Sequence, residues 1–307
     1  MEIYRGNYNI PKNEKLVFTL GMFDGVHLGH QSVLNYIKNI AKEEKGKTAV
    51  MTFSPHPRLV LNPEADFRLL TILDEKISLF EKFSVDYLFI QEFSKEFSQL
   101  SSEEFIQNIL VNQLNIHALV IGYDQHFGKN RELNYENLKI QSKKLGFKLY
   151  QLPAVSENQE IISSTKIRNK LLKGSISEAN EWLGYPFILS GKVIEGDKIG
   201  RTLGFPTANL EIDPHKIHPT HGVYFVKVKI DNNQFYGMMN IGMRPTVNGV
   251  KKQVEVHILN FDQDIYGKII EVSFYERVRN EIKFSSLEEL KNRLSIDKME
   301  TIKFFNL

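Results

Sequence analysis

Residues 15–30 read KLVFTLGMFDGVHLGH. Lys15 to Met22 is an apolar run that meets a glycine, the pattern of a buried strand. Glycines at 21, 25 and 29 then let the backbone turn sharply and approach a ligand. Beyond the turn Val33, Leu34, Ile37, Ile40 and Ala41 recur at helical spacing. Working outward, the same alternation repeats. Thr48–Phe53 is predicted as a strand, Leu73, Ile77, Phe80 and Phe83 as a helix stripe, and Tyr87–Phe93 as a strand. Ser101-Ser102-Glu103-Glu104 reads as a capping box that opens a helix running through Leu114. A strand at Ala118–Asp124, a helix near Asn134–Leu145 and a strand at Lys148–Val155 complete the series. Strands separated by helices of this length need crossover connections, which build a parallel sheet covered on both faces. The reading is a doubly wound α/β half, whose ligands sit beyond the carboxyl ends of the strands.

Two short helices close this half. Ser164 to Lys173 stops at Gly174, and Ser175-Ile176-Ser177-Glu178 is expected to cap a second that stops at Gly184. From Phe187 the period changes to two. Val226, Val228 and Ile230 alternate with Lys227 and Lys229, Val254, Val256 and Ile258 with Glu255 and His257, and Ile270, Val272 and Phe274 with Glu271 and Ser273. Turn residues at Asp231-Asn232-Asn233 and Asn248-Gly249 separate the runs. Short alternating strands in this number suggest a small closed antiparallel barrel, because closure removes exposed edges. A last helix from Ser286 to about Phe304 would cover one side. The boundary is placed at Gly184–Pro186, giving domains 1–184 and 185–307.

Composition agrees with two ordinary globular domains. The 307 residues carry 39 Lys and Arg against 37 Asp and Glu, a net charge of +2, with 42% hydrophobic residues. No apolar run approaches a membrane span, and the N-terminus lacks the apolar run of a secretory signal. With no cysteine, disulfides, thiolate metal sites and cysteine nucleophiles are excluded, and a cytoplasmic location is expected. The near-neutral balance argues against nucleic acid as a partner.

Two constellations carry chemistry. In the first, His27 and His30 are three residues apart and share a face at the start of a helix. The unpaired N–H groups there form an anion site, and two imidazoles could hydrogen-bond phosphate oxygens as pyrophosphate leaves. The plainer alternative is a Gly-rich connection bearing two surface histidines. A lone pair at this spacing lacks a third ligand for zinc, and no Walker-type Gly-Lys-Ser/Thr follows. This pattern resembles the HxGH signature of the nucleotidyltransferase superfamily, which joins a nucleoside monophosphate from ATP or CTP to an acceptor. Ile162-Ser163-Ser164-Thr165-Lys166-Ile167-Arg168 resembles the family's second motif. Ser164 and Thr165 would cap a helix whose N-terminus holds triphosphate, with Arg168 adding a fork of donors; a plain cap with a solvated Arg is the alternative. A third patch, Gly122 to Lys129, follows a strand end, where Asp124 could read a ribose or amino group or be a loop carboxylate. The resemblance makes Gly21, Phe23, Asp24, Gly29, Asp124, Ser164, Thr165 and Arg168 the expected ATP ligands of this half, with His27 and His30 catalytic.

In the second, Gly196 to Leu210 reads GDKIGRTLGFPTANL between the first two barrel strands. Glycines at 196, 200 and 204 suit a loop that wraps phosphates through backbone N–H groups. Thr207 and Asn209 offer neutral oxygens, which suit Mg²⁺ when phosphates bring the negative ligands. Glu255 stands among apolar neighbours, where a carboxylate could accept a hydroxyl proton, or could simply face solvent. This half resembles the riboflavin kinase family through that loop, Gly222-Val223-Tyr224, Asn240-Ile241-Gly242 with Arg244-Pro245-Thr246, Val254-Glu255-Val256-His257, and Phe261-Asp262 to Gly267. The resemblance implies that Gly196, Gly200, Arg201, Gly204, Pro206, Thr207 and Asn209 bind ATP. It further implies that Thr207 and Asn209 hold Mg²⁺, that Glu255 acts on the ribityl 5′-hydroxyl, and that a flap near Tyr275–Lys283 covers flavin.

In this order the two halves resemble the bacterial bifunctional riboflavin kinase/FAD synthetases. The resemblance implies ATP, riboflavin and FMN as substrates, Mg²⁺ as cofactor, and a monomer or weak homo-oligomer. Met22 stands where that family more often has Asn, and Gln125 where it more often has an aromatic. A kinase joined to a degenerate or differently specific transferase half, a flavin carrier without turnover, and an RNA-binding protein are the rival readings.

Overall fold

The computed structural model describes all residues except Asn7, Asn9, Lys12, 123–134, 153–155, 158–159 and 247–248, and the backbone but not the side chains of 156–157, 160, 244–246 and 249–252. The chain forms two compact units, Met1–Arg68 with Leu73–Ser163, and Leu69–Ile72 with Ser164–Leu307.

The first unit is a six-stranded sheet, β1 (Glu2–Arg5), β4 (Tyr87–Glu92), β3 (Lys47–Ser54), β2 (Leu16–Leu20), β5 (Ala118–Ile121) and β6 (Lys148–Gln151) in spatial order. Every pairing is parallel. The chain moves one way from β2 through β3 to β4, then returns to place β5 on the other side of β2. That reversal makes the mouth above β2 the place where a doubly wound sheet receives ligands. All five residues of β2 are buried, as a central parallel strand requires. Helices α1 (Leu28–Glu44), α3 (Leu73–Lys82) and α5 (Tyr135–Leu145) fall where periodicity placed them. The capping box is present: Glu104 N–H donates to Ser101 Oγ at 3.1 Å, and Ser101 N–H donates to Glu104 Oε2 at 2.8 Å. It opens α4 (Ser102–Glu104), which continues as a π-helix over Phe105–Gln113. Strand β1 is an addition, because its charged residues hide an edge strand that has one neighbour only. The short α2 (Pro57–Leu61) is another, begun by a proline and by His56, whose Nδ1 accepts from Arg58 N–H at 3.1 Å. The core between sheet and helices includes Phe18, Met51, Phe89, Ile106, Leu110 and Leu119.

The second unit holds α6 (Ser164–Lys173), α7 (Ile176–Leu183), a closed barrel and α9 (Leu287–Phe305). The strands β9 (Phe187–Ile194), β10 (Ala208–Ile212), β11 (Gly222–Ile230), β12 (Asn233–Thr246), β13 (Gly249–Ile258) and β14 (Ile269–Arg279) close in the order β10-β13-β12-β11-β14-β9, all antiparallel. Inward residues include Tyr224, Val226, Met239, Val256, Val272 and Phe274. Two details differ from the sequence reading. Ser164 and Thr165 are the first two helical residues of α6 rather than residues ahead of it, and Ser175 holds the cap position of α7 without a side-chain cap bond. Helix α7 is fastened to the barrel by Asn180, which donates to Phe274 O at 2.9 Å and accepts from Phe187 N–H at 2.7 Å. Gly174, at φ +83°, could carry no side chain without meeting Arg277 at 2.9 Å. These contacts keep both short helices with the barrel. Ser286 caps α9 by accepting from Glu289 N–H at 3.2 Å.

Candidate active sites

The first candidate site is the turn from β2 into α1. Gly21 still belongs to the sheet edge, donating to Met51 O at 3.0 Å. Phe23 and Val26 then adopt φ of +47° and +34°, a conformation that costs a branched side chain most. Such strain persists where surrounding structure enforces it. Here Phe23 and Val26 are buried and Val26 N–H returns to Phe23 O at 3.1 Å. His27 caps α1 by position and His30 lies one turn on, so the two rings stack with centroids 3.7 Å apart at 19°. Phe23 packs against His30, tilted, with ring centroids 5.1 Å apart. Burial, then the charges of His27 and Lys76, hold the His30 imidazole well below its ordinary proton affinity. A neutral imidazole still carries one N–H, which at a helix start can donate to an anion. Gly29 lets the rings sit this closely, since a Cβ there would stand 3.2 Å from the His27 ring.

Asp24 is 2% exposed and Lys76 is 5% exposed. Lys76 was invisible to the sequence reading, where it sits unmarked in an amphipathic stripe. From α3 its Nζ donates to Met22 O at 2.8 Å and to Thr52 Oγ1 at 3.3 Å. Burial lowers its pKa to about 8, and Asp24 opposes that shift. The expected Asp124 and Gln125 lie outside the described residues. Ser164, Thr165 and Arg168 belong to the second unit, on the first turn and a half of α6.

The second candidate site is a cavity of about 340 Å³ in the barrel unit, lined among others by Gly200, Thr207, Asn209, Asn240, Gln253 and Glu255. Register explains the assembly. Asn209 on β10 stands opposite Glu255 on β13, which stands opposite Asn240 on β12. Glu255 therefore faces the cavity, and Thr207 Oγ1 donates to its Oε2 at 3.0 Å. Gln253, two residues back on the same face, donates from Nε2 to both Glu255 Oε2 and Asn209 Oδ1 at 3.3 Å. It is a site residue the sequence did not single out, though its period-two relation to Glu255 marks it. His257, read as pointing away from the core, is buried. Since a carbonyl can only accept, its Nδ1 donates to Pro206 O at 2.8 Å, with Phe205 edge-on at 5.4 Å. Burial lowers its pKa, so it pins the loop as a neutral ring.

The loop itself is partly helical. Lys198, in a left-handed conformation, starts α8 (Ile199–Thr202), and Phe205 N–H closes back on Gly200 O at 2.8 Å. A Cβ on Gly196 would stand 2.1 Å from the Asn209 amide, and one on Gly200 2.3 Å from Phe205 O. Both glycines let the chain approach itself closely, and Gly204 turns at φ +84°. Arg201, Gly204 and Pro206 are exposed on this loop. Among the described residues no cluster of three His, Asp or Glu could hold a metal. The donors gathered here, the Thr207 hydroxyl and the Asn209 carbonyl beside one carboxylate, are hard oxygens that fit Mg²⁺ accompanied by phosphates. The flap expected near Tyr275–Lys283 is the end of β14 and the segment after it, where Arg279, Glu281, Ile282 and Phe284 line the cavity.

Comparison with known proteins follows the same division. A family model described as FAD synthetase matches residues 9–166, and one described as riboflavin kinase matches residues 183–305. A curated bifunctional riboflavin kinase/FMN adenylyltransferase of Haemophilus influenzae is 40% identical over 310 residues, covering 100% of each chain. That of Escherichia coli K12 is 36% identical over 310 residues, covering 100% of this chain and 99% of its own. Among solved structures, one described as a macrolide-efflux protein from Streptococcus pneumoniae matches with TM-score 0.88 and 31% identity, covering 97% of this chain and 98% of its own. Among the described residues no helix is long and apolar enough to cross a membrane. With full-length identity at this level and both family models in this order, the chain belongs to the bifunctional riboflavin kinase/FMN adenylyltransferase family.

Proposed function

We propose that the barrel phosphorylates the riboflavin 5′-hydroxyl from ATP, and that the N-terminal half joins the FMN phosphate to the adenylyl group of a second ATP. The activities divide at 184/185, as the period change suggests. In the kinase step Glu255 accepts the hydroxyl proton as the ribityl oxygen bonds to the γ-phosphorus and ADP departs. The observation that carries this is Glu255 aimed into the cavity with Thr207 at 3.0 Å. Thr207 and Asn209 would hold Mg²⁺, which when bound spreads the charge of the transferring phosphates. Gly196 and Gly200 let the loop carrying Arg201, Gly204 and Pro206 close round the triphosphate. Its backbone N–H groups supply the donors.

In the adenylyl step an FMN phosphate oxygen bonds to the α-phosphorus, and the bond to pyrophosphate breaks. That nucleophile is already ionised, so positioning and charge stabilisation matter more than a base. His27 and His30 supply donors at the head of α1, next to Gly21, Phe23, Asp24 and Gly29. Ser164, Thr165 and Arg168, at the start of α6, together with Asp124, are proposed as further ATP ligands on the family resemblance. Met22 contributes through its carbonyl, which accepts from Thr52 and Lys76, so its side chain need not be Asn for the turn to form. This favours an active transferase half over a degenerate one. The efflux description of the streptococcal structure is not carried over, since two triphosphate sites account for both units. A cytoplasmic enzyme fits these substrates.

One chromatographic assay tests the division. With riboflavin, ATP and Mg²⁺ the protein should yield FMN and then FAD. His27→Ala/His30→Ala should stop at FMN, and Glu255→Gln should make FAD only when FMN is supplied. Equal loss of both products in either folded variant would defeat the two-site reading.

A further inference from the structure

Resting on the adenylyl site proposed above, we infer that Lys76 is its positioning residue. It clamps the strained turn through the Met22 carbonyl and holds a buried ammonium at the junction of strand and helix. Three observations converge. First, the ammonium is buried yet satisfied, reaching Met22 O and Thr52 Oγ1. Thr52 also donates to Met22 O at 3.1 Å, so this carbonyl is held from both α3 and β3. A peptide so fixed sets where Phe23, at positive φ, must begin the turn. Second, burying an ammonium costs several kcal/mol, which two neutral oxygen acceptors offset only in part. A purely apolar clamp would be cheaper to build, and Thr52 already satisfies the Met22 carbonyl. Third, the groups that feel this charge are those of the site. They are Asp24 from the turn and His30 from α1, on which His27 stacks. Glu75, beside Lys76 on α3, is also buried, and β3 contributes the uncharged Thr52.

The chemical consequence is a division of labour. His30 Nδ1 is buried with no hydrogen-bond partner among the described residues, so the ring has a polar atom waiting for a ligand. If the imidazoles carried the charge, they would attract any anion and repel each other at 3.7 Å. With burial and the Lys76 ammonium both disfavouring a charged His30, its ring stacks on His27 without adding a second charge to the pair. Each then offers an N–H to a polyphosphate, whose own charge raises their proton affinity only when it arrives.

Two substitutions separate this role from a structural one. Lys76→Gln keeps a donor for the Met22 carbonyl and removes the charge. Lys76→Met removes both and fills the same space. FAD formation from supplied FMN should fall about tenfold to a hundredfold in kcat in both, the scale of a displaced reacting group, with riboflavin phosphorylation unchanged. Because the kinase cavity lies in the other unit, retention of the parent's far-UV circular dichroism is the folding control. The His30 ring resonance, identified by its loss in His30→Asn, should titrate at higher pH in both variants. Unaltered kcat in Lys76→Gln, or an unmoved His30 titration in whichever variant folds, overturns the inference. Failure of the site itself reads differently, because His27→Ala/His30→Ala would then still make FAD.

Discussion

Replacing Asp297 with Asn tests how the kinase cavity keeps its wall. Asp297 sits on α9 and is completely buried. Its Oδ2 accepts from Arg279 Nη2 at 2.6 Å, and its Oδ1 from Arg279 Nε at 3.0 Å and Arg293 Nε at 2.8 Å. Arg279 ends β14, opposite Val223, so this one carboxylate ties the C-terminal helix to the barrel. Arg279 and Asp297 both line the cavity. Asn would leave two guanidinium groups facing one neutral oxygen and an NH₂ that cannot accept from them. Breaking a buried pair in this way costs about 3–5 kcal/mol. Arg293 is partly exposed and keeps Glu300 at 3.2 Å, so the lower end, about 3 kcal/mol, is expected. The single tryptophan, Trp182, lies buried on α7 in the same unit, so its fluorescence reads this unit during urea unfolding. At a slope of about 2 kcal/mol per molar, the midpoint should fall by roughly 1.5 M. The KM for riboflavin should rise while FAD formation from supplied FMN is spared. A midpoint within about 0.3 M of the parent would mean that the carboxylate is not what holds α9, and would refute the reasoning.

Gly200→Ala puts a Cβ 2.3 Å from the Phe205 carbonyl, which is backbone and cannot swing aside. The loop must move, and steady-state kinetics should show the KM for ATP in riboflavin phosphorylation up about tenfold, with FAD formation untouched. Chelation with EDTA should abolish riboflavin phosphorylation, and Thr207→Ala should need more Mg²⁺ to recover half of its own maximum than the parent does. Lys76 has a folded pKa of about 8 against 10.5 ordinarily, so between those pH values the unfolded chain binds the extra proton. Stability should therefore rise as pH climbs from about 8 towards 10.5, and be lowest, on this account, below 8. Calorimetry should find Lys76→Met more stable than the parent at pH 7 by up to about 3 kcal/mol, with the gap closing by pH 10.5; no gap at pH 7 would contradict this.

The features legible in the sequence are those whose causes lie within a few residues. An apolar run ending at Gly21, a helical stripe after it, and the Ser101–Glu104 box each work through neighbours along the chain. So does the period-two pattern of Val226, Val228 and Ile230. Summed, they specify a parallel sheet followed by an antiparallel barrel. Strand β1 escaped because an edge strand needs no apolar signature, and α8 because four residues of helix make no period. At the sites, the Thr207, Asn209 and Glu255 chemistry was readable, but that Glu255 meets Thr207 on the cavity wall depends on the register of β10 against β13, which sets Asn209 opposite Glu255, 46 residues on.

Lys76 shows the limit most plainly. Its identity is one more lysine on an amphipathic helix, and local rules would leave it in solvent. It is buried because packing α3 on the sheet brings it against a carbonyl 54 residues away. Likewise nothing around His257 announces that Pro206 would claim its ring. Periodicity records which face of an element is apolar. Which polar group an apolar face encloses is set by distant partners, and only the folded chain decides that.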